Sequence, residues 1–400
     1  MSEIITLGPD GQLIVPPAPT IPIIVGDGIG PDLWRAARPI LDAAVARGGH
    51  GPINWLEVLA GQEAKTKTGE HLPEETLAAL KKYRVSLKGP LGTPVGGGIR
   101  SLNVAIRQKL DLYACIRPVT WLPGCPSPVK RPDLMNMIIF RENTEDVYAG
   151  LEWPAGSPEA NRLIDLAGQE FKVKIRPGSA VGLKPMSEFG SKRLIRMALK
   201  WALEIKAPNL TLVHKGNIMK FTEGAFRSWG YELAASEFGA LTVPENEATA
   251  GETRLIVKDR IADNMFMQTL LRPDEYSVLA MPNLNGDYLS DALAAQIGGL
   301  GMAPGANVGD GLAVFEATHG TAPKYAGQDK VNPSSLILSG AFMLDFMGWK
   351  DSGHLVRQAL TRTLADKIVT YDLARQMDKV SPTATSAFGR AVLDRMGGER

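Results

Sequence analysis

An α/β fold built on a largely parallel sheet is what this 400-residue sequence predicts, and three features predict it. Short, wholly apolar runs alternate with segments of helical period along most of the chain; the runs read as strands covered on both faces; and only Trp153 to Pro185 departs from the alternation, with the texture of a small inserted β unit.

Taken in order, Ile4–Leu7 and Gln12–Val15 flank Gly8-Pro9-Asp10-Gly11, a hairpin with the turn residues such a turn needs. Pro16 to Pro22 reads as a spacer. Ile23-Ile24-Val25 is a buried strand that runs through Gly26-Asp27-Gly28-Ile29-Gly30-Pro31-Asp32 into a long amphipathic helix, Leu33 to about Arg47. Its glycines are spaced G-x-G-x-G rather than G-x-G-x-x-G, and Pro31 removes an amide donor, so the segment reads as a tight βα turn and not as a dinucleotide fingerprint. Trp55–Val58 (strand), Pro73–Tyr83 (helix) and Val85–Lys88 (strand) follow. The run Gly96-Gly97-Gly98 then breaks regular structure, and Ser101 is placed to cap a helix whose apolar stripe is Leu102, Ala105, Ile106 and Leu110. Met137–Phe140 is a buried strand. The inserted unit comprises a helix near Glu159–Gly168, an alternating strand Phe171–Ile175 and a second strand within Ser179–Leu183. Helix Ser191–Ile205, strand Leu210–Val213, helix Thr222–Phe238 and a polar loop Pro244–Thr253 restore the alternation.

Length and composition narrow the function. Single cores stop growing near ~250–300 residues, so two or three domains are expected. With 44 basic and 43 acidic side chains, net +1, nothing favours nucleic acid or an anionic membrane surface as a partner. Cys115 and Cys125 make no disulfide framework and match no common zinc spacing, which points to a reducing compartment. Absence of a basic leader or a ~20-residue apolar run makes a cytoplasmic location the expectation.

Four clusters carry chemistry. Around Ser101, a helix start offers free N–H groups, and Asn103 and Arg107 share one face; Arg117 and Arg141 follow at strand positions, a set suited to carboxylates. Taken singly, each arginine reads equally well as a solvated charge. Asp287 and Asp291 stand four apart on a helix, where like charges repel unless a cation intervenes; their oxygens suit Mg²⁺ or Mn²⁺, and a solvated face is the alternative. Asp263 is a possible third ligand by type. Lys215 lies just past a strand, and neighbouring positive charge would lower its pKa as a proton shuttle requires; Tyr148 follows Arg141 closely. Finally, His319-Gly320-Thr321-Ala322-Pro323-Lys324-Tyr325, with Asn332, Tyr371 and Arg375, combines a shaped loop, flat rings and positive charge, which suits an adenine whose ribose bears a phosphate.

From about Ile21 to the C-terminus, the stretches Gly96–Arg117, Arg141–Tyr148, His214–Phe221, Asn283–Asp291 and His319–Pro333 resemble the signatures of the isocitrate/isopropylmalate dehydrogenases, and among them the NADP-dependent isocitrate dehydrogenases of bacterial homodimeric type. The resemblance implies that family's non-Rossmann fold. It implies a large, cofactor-side domain from residues 1–112 and 298–400, a small domain carrying substrate, metal and dimer contacts from 113–145 and 188–297, and a clasp-like insertion, 146–187, shared by two subunits. Isocitrate would be held by Ser101, Asn103, Arg107, Arg117 and Arg141. Tyr148 would protonate the enolate, and Lys215, from the second subunit, would take part in removing the hydroxyl proton. Mg²⁺ or Mn²⁺ would sit on Asp287 and Asp291 of one chain and Asp263 of the other. NADP would contact Thr93, Asn217, Gln268, His319, Gly320, Thr321, Ala322 and Asn332, its 2′-phosphate gripped by Lys324, Tyr325, Tyr371 and Arg375 with Arg272 of the second subunit.

The implied reaction is oxidative decarboxylation of isocitrate to 2-oxoglutarate and CO₂ in the tricarboxylic acid cycle, and in some bacterial members a regulatory kinase acts at the serine corresponding to Ser101. Two departures from the pattern are Gly92 ahead of Thr93, where relatives carry threonine, and Met267 beside Gln268, where a second glutamine is common. Two alternatives stay open: an NAD-dependent sister enzyme acting on isopropylmalate or homoisocitrate, and a regulatory paralogue without turnover. Ser101 and Asn103 argue against an apolar substituent, and Lys324, Tyr325 and Arg375 against NAD, whose free 2′-hydroxyl usually meets an acid.

Overall fold

A computed structural model describes residues 3–92 and 101–397; Thr93 and the run Gly96–Gly98 lie outside the described residues. The hairpin forms as β1 (Thr6–Leu7) and β2 (Leu13–Ile14). Next come β3 (Thr20–Ile24), α1 (Gly30–Arg47), β4 (Asn54–Glu57), α2 (Gln62–Thr68), α3 (Glu74–Tyr83), β5 (Val85–Lys88) and α4 (Leu102–Lys109). The middle of the chain supplies β6 (Ala114–Thr120), β7 (Asn136–Glu142), β8 (Glu152–Trp153), α5 (Pro158–Gln169), β9 (Val181–Gly182), α6 (Glu188–Glu204), β10 (Asn209–His214), α7 (Glu223–Phe238), β11 (Thr242–Pro244), β12 (Leu255–Ile261), α8 (Ala262–Leu271), β13 (Val278–Met281) and α9 (Asn283–Gln296). It ends with β14 (Pro304–Gly309), β15 (Leu312–Ala317), α10 (Ser334–Phe346), α11 (Lys350–Ala365), α12 (Tyr371–Ala374) and α13 (Thr385–Asp394).

Eleven strands make one continuous sheet in the order β11-β12-β10-β13-β7-β6-β14-β15-β5-β3-β4. Pairing is parallel on both wings and antiparallel only where β7, β6, β14 and β15 meet in the middle. The mostly apolar strands are explained by this: β5, β10, β13 and β15 are buried at every residue. Helix α10 shows the same logic, buried from Ser334 to Leu344. Its Phe342 meets Phe315 edge-on at 5.2 Å, and its Ser335 and Ser339 hydroxyls donate to the Ala303 and Glu316 carbonyls, so burial strands neither of these polar groups. Each such aromatic contributes about 1.5–3 kcal/mol by leaving water.

Several sequence expectations need correction. The spacer is shorter than Pro16–Pro22, because β3 begins at Thr20 and contains Pro22; β5 pairs with β3 only from Ile23 onward, so Pro22 interrupts no ladder on that side. Helix α1 starts at Gly30 and carries Pro39 within it. Ser101 occupies the cap position of α4, but its side chain makes no cap bond. Phe171–Ile175 is irregular rather than a strand: Phe171 and Val173 are exposed, and in one chain no neighbouring strand pairs with them, which alternation by itself does not provide. The insertion holds α5 and the two-residue pair β8–β9.

Candidate active site

Strand register assembles the charged centre. Cys115 on β6 lies opposite both Arg141 on β7 and Asn307 on β14, and Gly305 on β14 lies opposite Glu316 on β15, whose parallel partner on β5 is Lys88. Cross-strand partners share a face, and so do residues two apart along a strand. Arg141, Arg117, Asn307, Glu316 and Lys88 therefore form one row across five strands. Gly305 makes the row possible: a Cβ there would sit 3.1 Å from Arg117 Nε.

Glu316 is the hub. Arg107 from α4 donates to it at 3.0 Å and Asn307 at 2.8 Å, while Lys88 lies 2.9 Å and Arg117 3.7 Å away. Burial pushes the Glu316 carboxyl up, but Lys88, Arg107 and Arg117 outweigh it and hold the group far below the usual carboxylate range. Lys88 moves down, chiefly because it is buried. The cluster carries a surplus of positive charge, and Asn103, one turn before Arg107 on α4, has a buried Oδ1 with no hydrogen-bond partner among the described residues. An anion with hydroxyl or amide donors is what such a set accommodates.

The second half of the centre is α9. Arg141 donates to Asn283 Oδ1 at 2.8 Å and pairs with Asp287, and Tyr148 donates its phenol proton to Asp287 Oδ2 at 2.7 Å. Arg141 also lies over the Tyr148 ring at 4.8 Å. Close approach of α9 depends on Gly286, since a Cβ there would meet Arg141 Cγ at 2.5 Å. Burial and the Asp287 contact push the Tyr148 phenol up to about 12. Burial raises the Asp287 carboxyl, but Arg141 and Tyr148 more than offset it, so the group lies below its usual value; Asp291 goes the other way, raised by burial and by Asp287. No described residue donates a hydrogen bond to Asp291. Two carboxylates one turn apart, one of them without a donor, fit an oxygen-liganded divalent cation. Among the described residues of this chain no third acid or imidazole completes a cage.

The remaining predicted residues lie elsewhere. Lys215 pairs with Asp263 at the start of α8, and that contact lowers the Asp263 carboxyl. Asn217, Asp263 and Arg272 are exposed, Gln268 is half-buried, and Phe221, Leu270 and Leu271, close to them in sequence, are exposed as well. None of these side chains hydrogen-bonds or ion-pairs with Arg117, Arg141, Asp287 or Asp291 of the same chain.

A third group lines a cleft of about 490 Å³: His319, Gly320, Ala322, Asn332, Tyr371 and Arg375. Thr321 lends its carbonyl to the Ile29 N–H, which joins the loop to the start of α1. Tyr325 and Tyr371 stand 5.3 Å apart with Lys324 4.9 Å from the Tyr325 ring. Contacts with Tyr371 and Lys324 lower the Tyr325 phenol. Burial lowers His319, whose Nε2 has no partner among the described residues. A neutral ring with an unused nitrogen suits a heteroaromatic base, and the Lys324, Tyr325, Tyr371 and Arg375 group suits a phosphate.

Sequence reasoning missed Lys88, Asn307 and Glu316. The available signal was an acid inside the apolar run Leu312–Ala317 and a lysine ending Val85–Lys88, each anomalous in a strand buried on both faces.

A family model described as isocitrate/isopropylmalate dehydrogenase matches residues 20–392. A protein of Archaeoglobus fulgidus named isocitrate dehydrogenase (NADP) is 56% identical over 393 residues, covering 97% of this chain and 95% of that one. One of the same name from Staphylococcus aureus is 52% identical over 412 residues, covering 97% of each. The crystal structure of isocitrate dehydrogenase from Methylococcus capsulatus matches with a TM-score of 0.79 at 36% identity, over 94% of this chain and 99% of that one. Matched by that family model over most of its length and by near-full-length relatives at 52–56% identity, the chain belongs to the isocitrate/isopropylmalate dehydrogenase family.

Proposed function

We propose that this chain oxidises and decarboxylates isocitrate to 2-oxoglutarate and CO₂, reducing NADP to NADPH, as a cytoplasmic homodimer of the tricarboxylic acid cycle. One observation carries the reading: Arg107, Arg117 and Arg141 converge on the centre that also holds Asp287, Asp291 and Tyr148. The triple negative charge of isocitrate is answered by three guanidinium groups, and Ser101 and Asn103 at the start of α4 would hydrogen-bond its γ-carboxylate. The names of full-length relatives at 52–56% identity support NADP as the oxidant.

Asp287 and Asp291 would hold Mg²⁺ or Mn²⁺ with Asp263 of a second subunit, and the bound cation supplies Lewis-acid stabilisation of charge developing on the substrate oxygen. This chain's own groups do the rest. The arginines fix the substrate so that its hydroxyl-bearing carbon faces the nicotinamide. Lys215 takes part in removing the hydroxyl proton as hydride leaves, and Tyr148, protonated because its phenol is raised, delivers a proton to the enolate left by CO₂ loss. The adenine side would rest on His319, Gly320, Thr321, Ala322 and Asn332. The 2′-phosphate would lie on Lys324, Tyr325, Tyr371 and Arg375 with Arg272 of the second subunit, and Asn217 and Gln268 complete the set; Thr93 belongs to it by resemblance alone.

Shared sites account for the exposure of Lys215's neighbours: Asp263 is 69% exposed and, among the described residues, pairs with Lys215 alone. The insertion 146–187, with Phe171 uncovered, would be the clasp; residues 1–112 with 298–400 would form the large domain and 113–145 with 188–297 the small one. Among the described residues no helix is long and apolar enough to cross a membrane. At Ser101, whose hydroxyl makes no cap bond, a kinase would place ~1.5–2 negative charges where the substrate carboxylate docks and switch binding off.

The deciding assay follows NADPH formation from isocitrate with Mg²⁺ or Mn²⁺, and with NAD or isopropylmalate substituted. Turnover that needs isocitrate, the cation and NADP is the expected result. Preference for isopropylmalate with NAD sinks the reading, as does ligand binding without turnover.

A further inference from the structure

Where the insertion returns to the body of the molecule, one lysine is held between two buried carboxylates. Lys184 Nζ pairs with Asp146 and lies 3.0 Å from Glu223 Oε1; the two acidic side chains are 2% and 1% exposed. Carboxylates this deep need compensation, and Lys184 is the one cation paired with either among the described residues.

Each carboxylate also reaches a different part of the site. Asp146 accepts the Leu284 N–H at 2.9 Å in the first turn of α9, and Asn283 donates to the neighbouring Glu145 carbonyl at 3.3 Å. Asp146 itself has φ +67°, a left-handed conformation held by these bonds and by its own acceptance of the Val147 N–H at 2.7 Å. The short turn that carries Tyr148 is thereby fixed to the helix that carries Asp287. Glu223 accepts the backbone N–H of Lys215 and, at 2.8 Å, the Asn285 amide, which fixes the backbone of Lys215 to the same helix.

We infer that Lys184 is a positioning residue for both proton-handling groups, Tyr148 through Asp146 and Lys215 through Glu223. The inference rests on the shared-site reading above, in which Tyr148 and Lys215 of one chain serve different active sites. Under that reading a single half-buried cation sets the geometry of two sites at once, and its loss is felt in both.

Mixed dimers, purified through two different tags, test this. The control joins a Tyr148→Phe chain to a Lys215→Met chain: shared sites leave one site with both native residues and about half the activity. An inactive control overturns the shared-site reading and the link between sites together. A Lys184→Gln chain joined to Tyr148→Phe leaves a site that uses the altered chain's Tyr148; joined to Lys215→Met, it leaves one that uses the altered chain's Lys215. Relative to the control, kcat is expected to fall about tenfold or more in both combinations with KM for isocitrate within about twofold, and Lys184→Arg to recover most of it.

The two arms separate with Asp146→Asn, which should lower only the Tyr148→Phe combination, and Glu223→Gln, which should lower only the Lys215→Met combination. This pattern decides the matter even if Lys184→Gln does not fold. Equal losses in both combinations for the single-arm variants, or a Lys184→Gln loss confined to one combination, overturn the inference.

Discussion

Tyr148 and Glu316 show at single-residue scale how environment assigns chemistry. The Tyr148 phenol, raised to about 12 by burial and the Asp287 contact, keeps its proton throughout the neutral range. Tyr148→Phe is therefore expected to lower kcat steeply while leaving KM for isocitrate close to wild type and the shape of the pH–rate profile unchanged below about pH 10. An alkaline limb below pH 10 that disappears in the variant would show that the phenol ionises lower than its surroundings imply, and a comparable loss of kcat and of substrate affinity would remove Tyr148 from the role. Glu316→Gln leaves Lys88, Arg107 and Arg117 without their shared anion, which should cost about 3–5 kcal/mol in denaturant unfolding at pH 7. Because the native carboxyl lies below its unfolded value of 4.5, its contribution is fully present above pH 4.5 and is lost only as pH falls through the depressed native value. Wild type and variant should thus differ throughout the neutral range and converge only in strong acid. Neither residue's role follows from type alone; Glu316 in particular becomes a hub only because β14 and β5 bring Asn307 and Lys88 to its sides.

Among the elements, α9 is fitted closely against Arg141. Gly286→Ala drives a methyl group into Arg141 and should displace the helix, costing about 1–3 kcal/mol and weakening Mg²⁺ dependence, measured by thermal melts and by titration of activity with the cation. Failure to shift either would mean that α9 has room the contacts do not suggest. The loop after β15 makes a separate prediction: a Lys324→Ala, Arg375→Ala double variant should raise KM for NADP by about tenfold or more and leave KM for NAD nearly unchanged, since the two cofactors differ only in the phosphate. Helices α1, α3, α5, α6, α7 and α9 were legible because period and punctuation are local properties. The Phe171–Ile175 strand was misread because pairing depends on a neighbour that sequence spacing does not disclose.

At the scale of the whole molecule, the aspartate pair, the arginines and the ring-lined loop could be picked out from residue types, but their convergence could not. It comes from register across the middle of an eleven-strand sheet, a non-local property. If the sites are shared as proposed, the exposed group around Lys215 and Asp263 adds a further expectation: dilution below the dissociation constant of the proposed dimer should abolish turnover while leaving the circular dichroism of the chain largely intact. Activity that survives as a monomer would confine the site to one chain.

The seam between β5 and β15 has a consequence for synthesis. Ser86 and Ala313, joined across it, are 227 positions apart, so at ~5–20 residues per second the ribosome needs roughly 11–45 s between making one side and the other. Throughout that interval Val85–Lys88, buried at every residue in the finished sheet, leaves a nascent chain with an open strand edge, and that edge is where a holding chaperone should be found.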